Sequence, residues 1–212
     1  GKVAGINIDE YRINTLVTSP ISYGFNLNVN GVNRNFEIVN GDFRDNEFFF
    51  EKEPDPTNDF SLFYRNDGLG LSSSNTGFFL LFKQGKLNFA EFNYETPIQN
   101  RNEDITVQNI NETDVFVQEI TTTGAVINKW TKIPNTIGQT LNYNSQSLGT
   151  RNLYSVENID NDGIRIKYPD GSFGNVPTGI YRVWYRVSDG ERYTIQPDDA
   201  TNITVSIQYR RE

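Results

Sequence analysis

The side chains able to do chemistry in this sequence are carboxylates, amines, phenols and hydroxyls, because it contains no His and no Cys. Without His there is no imidazole base to activate a Ser or Cys nucleophile, and no imidazole metal ligand. Without Cys there is no thiolate, disulfide or thiolate zinc site. Oxygen-only metal sites, carboxylate pairs, Lys and Tyr stay available. Asp160-Asn161-Asp162-Gly163 has the alternating Asp/Asn spacing that opens a calcium loop, but the twelfth position from Asp160 is Gly171 rather than Glu. The same four residues suit a tight hairpin turn, and the turn is the preferred reading. Asp198-Asp199 and the stretch from Asp42 to Asp45 read as solvated loop charges. Gly68-Leu69-Gly70 lacks the rest of the dinucleotide-binding fingerprint. Glycoside hydrolysis needs two carboxyl groups ~5–10 Å apart across a cleft, and no local pattern singles out such a pair. No catalytic, cofactor-binding or metal-ligating residue is assigned, and the expectation is a non-enzymatic protein without cofactors.

Aromatic side chains are the other source of recognition chemistry. Trp130, Trp184, Tyr181 and Tyr185 would suit sugar stacking if their rings were exposed and coplanar on one face. Their alternating strand context favours core packing instead. Phe48-Phe49-Phe50 and Phe78-Phe79 are the candidate docking patch for a protein partner. Asn111-Glu112-Thr113 and Asn202-Ile203-Thr204 match the N-glycosylation triplet, which carries no weight in a chain with 27 Asn.

The elements that must position these groups read as strands. Ala, the best helix former, occurs only at positions 4, 90, 125 and 200. No long window carries apolar residues at helical spacing. Tyr23 to Val29 alternates apolar and polar, Asn30-Gly31 follows, and Val32 to Val39 alternates again. Asn-Gly between alternating runs predicts a hairpin, because both turn positions need positive φ. A second hairpin is expected from Phe78–Lys83 through Gln84-Gly85 into Lys86–Phe92. Its first arm is apolar at consecutive positions, which predicts burial on both faces, the alternative being an exposed aromatic docking patch. Residues 51–59, with two prolines, and 67–75 read as loops. Asn100 to Asp104 reads as a linker. Further strands are expected at 105–107, 114–120, 126–133, 152–157, 163–168, 180–187 and 203–209.

The fold expected is therefore all-β: an antiparallel sandwich or barrel-like arrangement in two small β subdomains, residues 1–104 and 105–212, with little helix. The net charge of −8 at pH 7 argues against binding nucleic-acid backbones or anionic membranes. No apolar run approaches the ~20 residues of a membrane-spanning helix, and no signal-peptide pattern opens the chain. Met is missing even at position 1, so the chain is expected to be a piece of a longer protein or a processed product.

One stretch carries a family resemblance. Tyr168-Pro169-Asp170-Gly171 ends a strand; Gly174 and Pro177-Thr178-Gly179 follow as corner and turn; the next strand ends in Tyr185-Arg186. In that order, after Trp130-Thr131-Lys132-Ile133 and Tyr154-Ser155-Val156, they resemble the baseplate J-like family of contractile-tail proteins, which includes wedge subunits of tailed bacteriophages. The likeness spans about residues 113–209. It departs from the family pattern at Pro169, where Gly is usual, and in a less Gly-rich final turn. The resemblance implies a structural subunit, or a fragment of one, in a virion tail baseplate, made in the host cytoplasm. Its partners would be other tail proteins and the rest of a longer chain. Asp170, Gly171, Gly174, Pro177, Gly179, Tyr185 and Arg186 are its motif residues, and the family has no catalytic residues to transfer. The alternative is a carbohydrate-binding or adhesin-type β module.

Overall fold

In the computed structural model the described residues are 7–13, 20–44, 48–69, 73, 76–134, 151–201 and 203–206. They form an all-β fold of antiparallel sheets, sandwich-like, with one short parallel pairing. The only helical pieces among them are short 3₁₀ turns at Asp160–Asp162 and Pro197–Ala200. The chain divides into two compact units: Gly1–Lys86 together with Arg192–Glu212, and Leu87–Glu191.

The first unit holds β1 (Asn7–Ile13), β2 (Ser22–Val29), β3 (Val32–Val39), β4 (Gly41–Arg44), β5 (Phe48–Glu51), β6 (Phe60–Asn66), β7 (Gly77–Phe79) and β8 (Leu81–Gln84). They pair as β1-β6-β7, β2-β3-β8 and β4-β5. The Asn-Gly hairpin stands where expected. Asn30 and Gly31 take φ of 53° and 82°, and Val29 faces Val32 across the turn. Alternation then sends Leu27, Val29 and Phe36 into one small core with Tyr193, Ile195 and Ile203. Ile13, Ile38 and Phe60 form another with Val205. These contacts draw the chain after residue 191 back to the first unit, so the division differs from the expected one at 104. Residues 203–206 do not form the expected strand, and 207–209 lie outside the described residues.

The second unit holds β9 (Lys86–Tyr94, whose first residue belongs to the first unit), β10 (Asn102–Ile105), β11 (Ile110–Ile120), β12 (Val126–Lys129), β13 (Thr131–Lys132), β14 (Leu153–Asn158), β15 (Ile164–Lys167) and β16 (Gly179–Val187). Two four-stranded sheets, β10-β15-β14-β13 and β12-β11-β16-β9, enclose one core. Val115, Val117 and Val183 meet Ile164 and Ile166 there, beside Trp130 and five tyrosines. Full burial of each aliphatic side chain contributes about 1.5–3 kcal/mol. The Tyr154 hydroxyl donates to the Val115 carbonyl at 2.6 Å, tying β14 to β11. The segment read as a linker is partly strand: Asn102–Ile105 pairs with β15.

The second expected hairpin is not formed. β8 pairs with β3, while β9 joins the sheet of β16. Phe82 on β8 meets Phe25 and Phe36 of the first unit. On β9, Ala90, Phe92 and Tyr94 belong to the core of the second. Two apolar destinations outweigh the local turn. Nor is the Phe78–Phe82 run buried on both faces, since Phe78, Leu80 and Phe82 are exposed in alternation with the half-buried Phe79 and Leu81. The Asp-Asn-Asp-Gly segment does turn β14 into β15, with Asn161 and Asp162 at φ 60° and 57°.

Candidate interaction surface

The motif residues build a corner rather than a cleft. After β15, the Asp170 carboxylate accepts the Ser172 amide at 2.8 Å, and Gly171 takes a φ of 98° that disfavours other residues. The Arg151 guanidinium donates to the Gly171 and Ser172 carbonyls at 3.1 and 3.3 Å. The Asn175 amide donates to the Arg151 carbonyl at 2.7 Å. Gly174 is buried against Pro169, and a Cβ there would sit 2.4 Å from the proline Cγ and 2.8 Å from its Cβ. Pro169 is thus the group that demands glycine five residues on. Gly174→Ala is expected to destabilise the second unit by about 1–3 kcal/mol through overpacking, read as a lower midpoint in urea unfolding. An unchanged midpoint would show that the corner yields freely.

Pro177 is buried and Gly179, at φ 96°, opens β16. Tyr185 faces the core, and Arg186, 1% exposed, lies beside the buried Asp114 with Nε 3.3 Å from Oδ2. These seven residues do not converge on one exposed surface.

The four rings considered for sugar stacking are all buried: Trp130 is 5% exposed, Trp184 3%, Tyr181 2% and Tyr185 8%. Trp130, Tyr168, Tyr181 and Tyr94 pack ring on ring, with centroids 5.0–6.0 Å apart. Burial pushes the phenols of Tyr94, Tyr168 and Tyr181 well above the ordinary tyrosine range. On the opposite face of that sheet, the Trp184 indole donates to Gln118 Oε1 at 2.8 Å. The Arg182 guanidinium donates to Glu91 Oε1 through Nε and Nη2 at 2.9 and 2.8 Å.

Among the described residues no group of three or more acidic side chains is placed to hold a metal ion. Asp199 instead accepts the Gln196 amide at 2.8 Å to cap its 3₁₀ turn. Asp42 lies 3.4 Å from Lys52 and accepts the Phe43 amide. Asp104 makes a two-pronged pair with Arg165 at 2.6 and 2.7 Å, whose hydrogen bonds hold its carboxyl below the usual range.

The Phe patch is split between two faces. Phe49 and Phe79 join Phe43 and Phe63 in a cluster of mutually tilted rings. Phe50 is 36% exposed; the side chain of Phe48 lies outside the described residues. Phe78 points the other way. It sits opposite Tyr64 in the β6–β7 register, with centroids 4.9 Å apart, and 6.1 Å from Tyr11 of β1. Tyr11, Tyr64 and Phe78 thus form a row across all three strands of one sheet, with Phe78 54% and Tyr11 43% exposed. Sequence reasoning found Phe78 and missed the tyrosines. Their signal was alternation: Tyr11 shares its parity with Ile13 in β1, as Tyr64 does with Leu62 and Phe60 in β6. The sequence does not say that the two strands are partners.

A family model described as Domain of unknown function (DUF8360) matches residues 1–212. No curated protein and no solved structure matches the chain.

Proposed function

We propose that this chain, which belongs to the DUF8360 family, is a non-enzymatic structural module that acts through protein–protein assembly, as a subunit or fragment of a tailed-phage tail baseplate. The observation that carries the assembly reading is the row Tyr11–Phe78–Tyr64. Two of these rings, Tyr11 and Phe78, are exposed and Tyr64 is half-buried beside them; exposed aromatic rings on one sheet face are costly to leave open and serve as anchors when a partner covers them. The planes of Tyr11 and Tyr64 are inclined 57° and 63° to that of Phe78. Coplanar rings would suit a sugar; inclined rings interlock with side chains of a protein partner. Burial of Trp130 and Trp184 removes the residues on which the carbohydrate-binding alternative rested. The baseplate assignment rests on the resemblance in residues 113–209, whose Gly and Pro corner has a physical purpose in the fold.

An antibody raised against the chain is expected to label the tail tip of virions that contain it, seen by electron microscopy. Label elsewhere, or none on intact particles, overturns the baseplate reading. Phe78→Ser tests the surface. It is expected to leave stability within about 0.5 kcal/mol, as exposed substitutions do, and to abolish incorporation into particles. Normal incorporation would discard the aromatic row as the docking site.

A further inference from the structure

The sheet β1-β6-β7 ends on one side at β7, three residues long, and on the other at β1, seven residues long. The outer backbone groups of an edge strand are a template for another strand, and edges are commonly blunted by shortness, Pro or a bulge. β7 is short, but β1 has none of these features. Its sequence Asn7-Ile8-Asp9-Glu10-Tyr11-Arg12-Ile13 contains no Pro, and it pairs with β6 without a register shift from end to end. Among the described residues β6 is its one strand partner. Ile8, Asp9, Glu10, Tyr11 and Arg12 are all exposed, so both faces are open along this edge.

The order of side chains along β1 selects the occupant. Glu10 and Arg12 point to one face and Tyr11 to the other. When two antiparallel copies of β1 meet across a two-fold axis at Tyr11, Glu10 of each copy faces Arg12 of the other, and Tyr11 faces Tyr11. Centring the pair on Asp9, Glu10 or Arg12 instead sets two like charges directly opposite, which is destabilising. Arg12 and Glu10 also interact within their own strand, Nε to Oε1 at 3.4 Å, and Glu10 Oε1 accepts the Ser61 hydroxyl at 2.8 Å. Neither contact has to break, because a guanidinium has several donors and a carboxylate several lone pairs. The four charged groups then form a ring of alternating sign. The Arg12 side chain is 67% exposed, which leaves it room to reach across. We infer that a second copy of this chain pairs edge to edge with β1, antiparallel and centred on Tyr11, joining two three-stranded sheets into one. The inference rests on the reading that the chain acts through protein–protein assembly, and it names the partner on the β1 side of the aromatic row. The row Phe78–Tyr64–Tyr11 continues across the axis into the same rings of the second copy.

Charge exchange reads this register directly. Glu10→Lys sets like charges opposite each other across the axis, and so does Arg12→Glu. Each is expected to weaken self-association of the whole chain about tenfold or more, measured by sedimentation velocity over a concentration series. Mixed in equal amounts, the two variants are expected to dimerise with each other, and the chain carrying both changes is expected to regain the homodimer. The absence of Cys from the chain allows a second test that leaves those charges in place. Tyr11→Cys brings two thiols together at the axis, within the ~4.4–6.8 Å Cα separation of a disulfide, and is expected to cross-link as a dimer on oxidation. Asp9→Cys sets its two copies roughly 13 Å apart along the strands and is expected not to. A chain that sediments as a monomer at every concentration, a dimer unmoved by either single change, single variants that do not rescue each other, or equal cross-linking at both positions overturns the inference. Phe78→Ser lies on β7, at the far side of the row, and is expected to leave the dimer intact. Lost incorporation of Phe78→Ser in a chain that is monomeric would discard the dimer alone. A dimer that Phe78→Ser still carries normally into particles would support the pairing and discard the row alone.

Discussion

Replacing Arg186 with Met is expected to cost about 3–5 kcal/mol of unfolding free energy, the loss seen when one member of a buried ion pair is removed. The guanidinium is buried on β16, and Asp114 is buried on β11 at the place where the pairing register slips between Asn111 and Val115. That bulge brings Asp114 against Arg186. Asn111 Nδ2 donates to the Asp114 carboxylate at 3.2 Å, while its Oδ1 accepts the amide and hydroxyl of Thr113 at 3.1 and 2.8 Å. With Arg186 gone, the buried Asp114 would lose the guanidinium that lies 3.3 Å from its carboxylate. Trp emission measures the result well. The chain has two Trp, and both lie in the second unit, so the transition it reports is that unit's own. A fall in melting temperature on the order of 15 °C is expected for a unit of this size. Arg186→Met combined with Asp114→Leu should recover most of the loss, because two apolar groups leave no charge behind. A single variant that melts within about a degree of the parent would show that the pair carries no stability.

Alkaline unfolding of the same unit is the second large effect. Tyr94, Tyr168 and Tyr181 are packed together, with the Tyr94 and Tyr168 hydroxyls 3.3 Å apart. Burial raises all three phenols above the ordinary tyrosine value of 10.0. The folded chain therefore keeps protons that the unfolded chain releases near pH 10. Their contribution is fully present below the unfolded pKa and is lost as pH rises from there toward the folded values. Each phenol lowers stability by about 1.4 kcal/mol per pH unit in that range, so three together lower it by about 4 kcal/mol per unit. Trp emission and tyrosinate absorbance should change in one cooperative step above pH 10. Tyr168→Phe removes one titrating group and should flatten the pH dependence by about a third. Ionisation of these tyrosines with native Trp emission retained would refute the coupling.

Several features were legible because they are local. Asn30-Gly31 demands positive φ at two successive residues, and the flanking alternation demands a strand on each side; the β2–β3 hairpin follows from those facts alone. The Asp160–Gly163 turn and the scarcity of helix came from the same kind of evidence. Burial of Trp130 and Trp184 followed from alternation. Phe78–Phe92 was read as one hairpin for an equally local reason, a glycine between two apolar runs. Each run has a different core to enter, and no neighbouring residue encodes that choice. The exchange of residues 192–206 back to the first unit depends on Tyr193, Ile195 and Ile203 meeting Leu27, Val29 and Phe36, more than 150 positions away.

By itself the amino-acid order determined an all-β chain, its turns, and the absence of thiol and imidazole chemistry, since these depend on residue type and nearest neighbours. Only the tertiary structure decided which strands are partners. It thereby gathered Tyr11, Tyr64 and Phe78 into one row and brought Asp114 to Arg186. Strand pairing joins residues far apart in the chain, and the periodicity of a strand shows which face is apolar but not which apolar face it will meet.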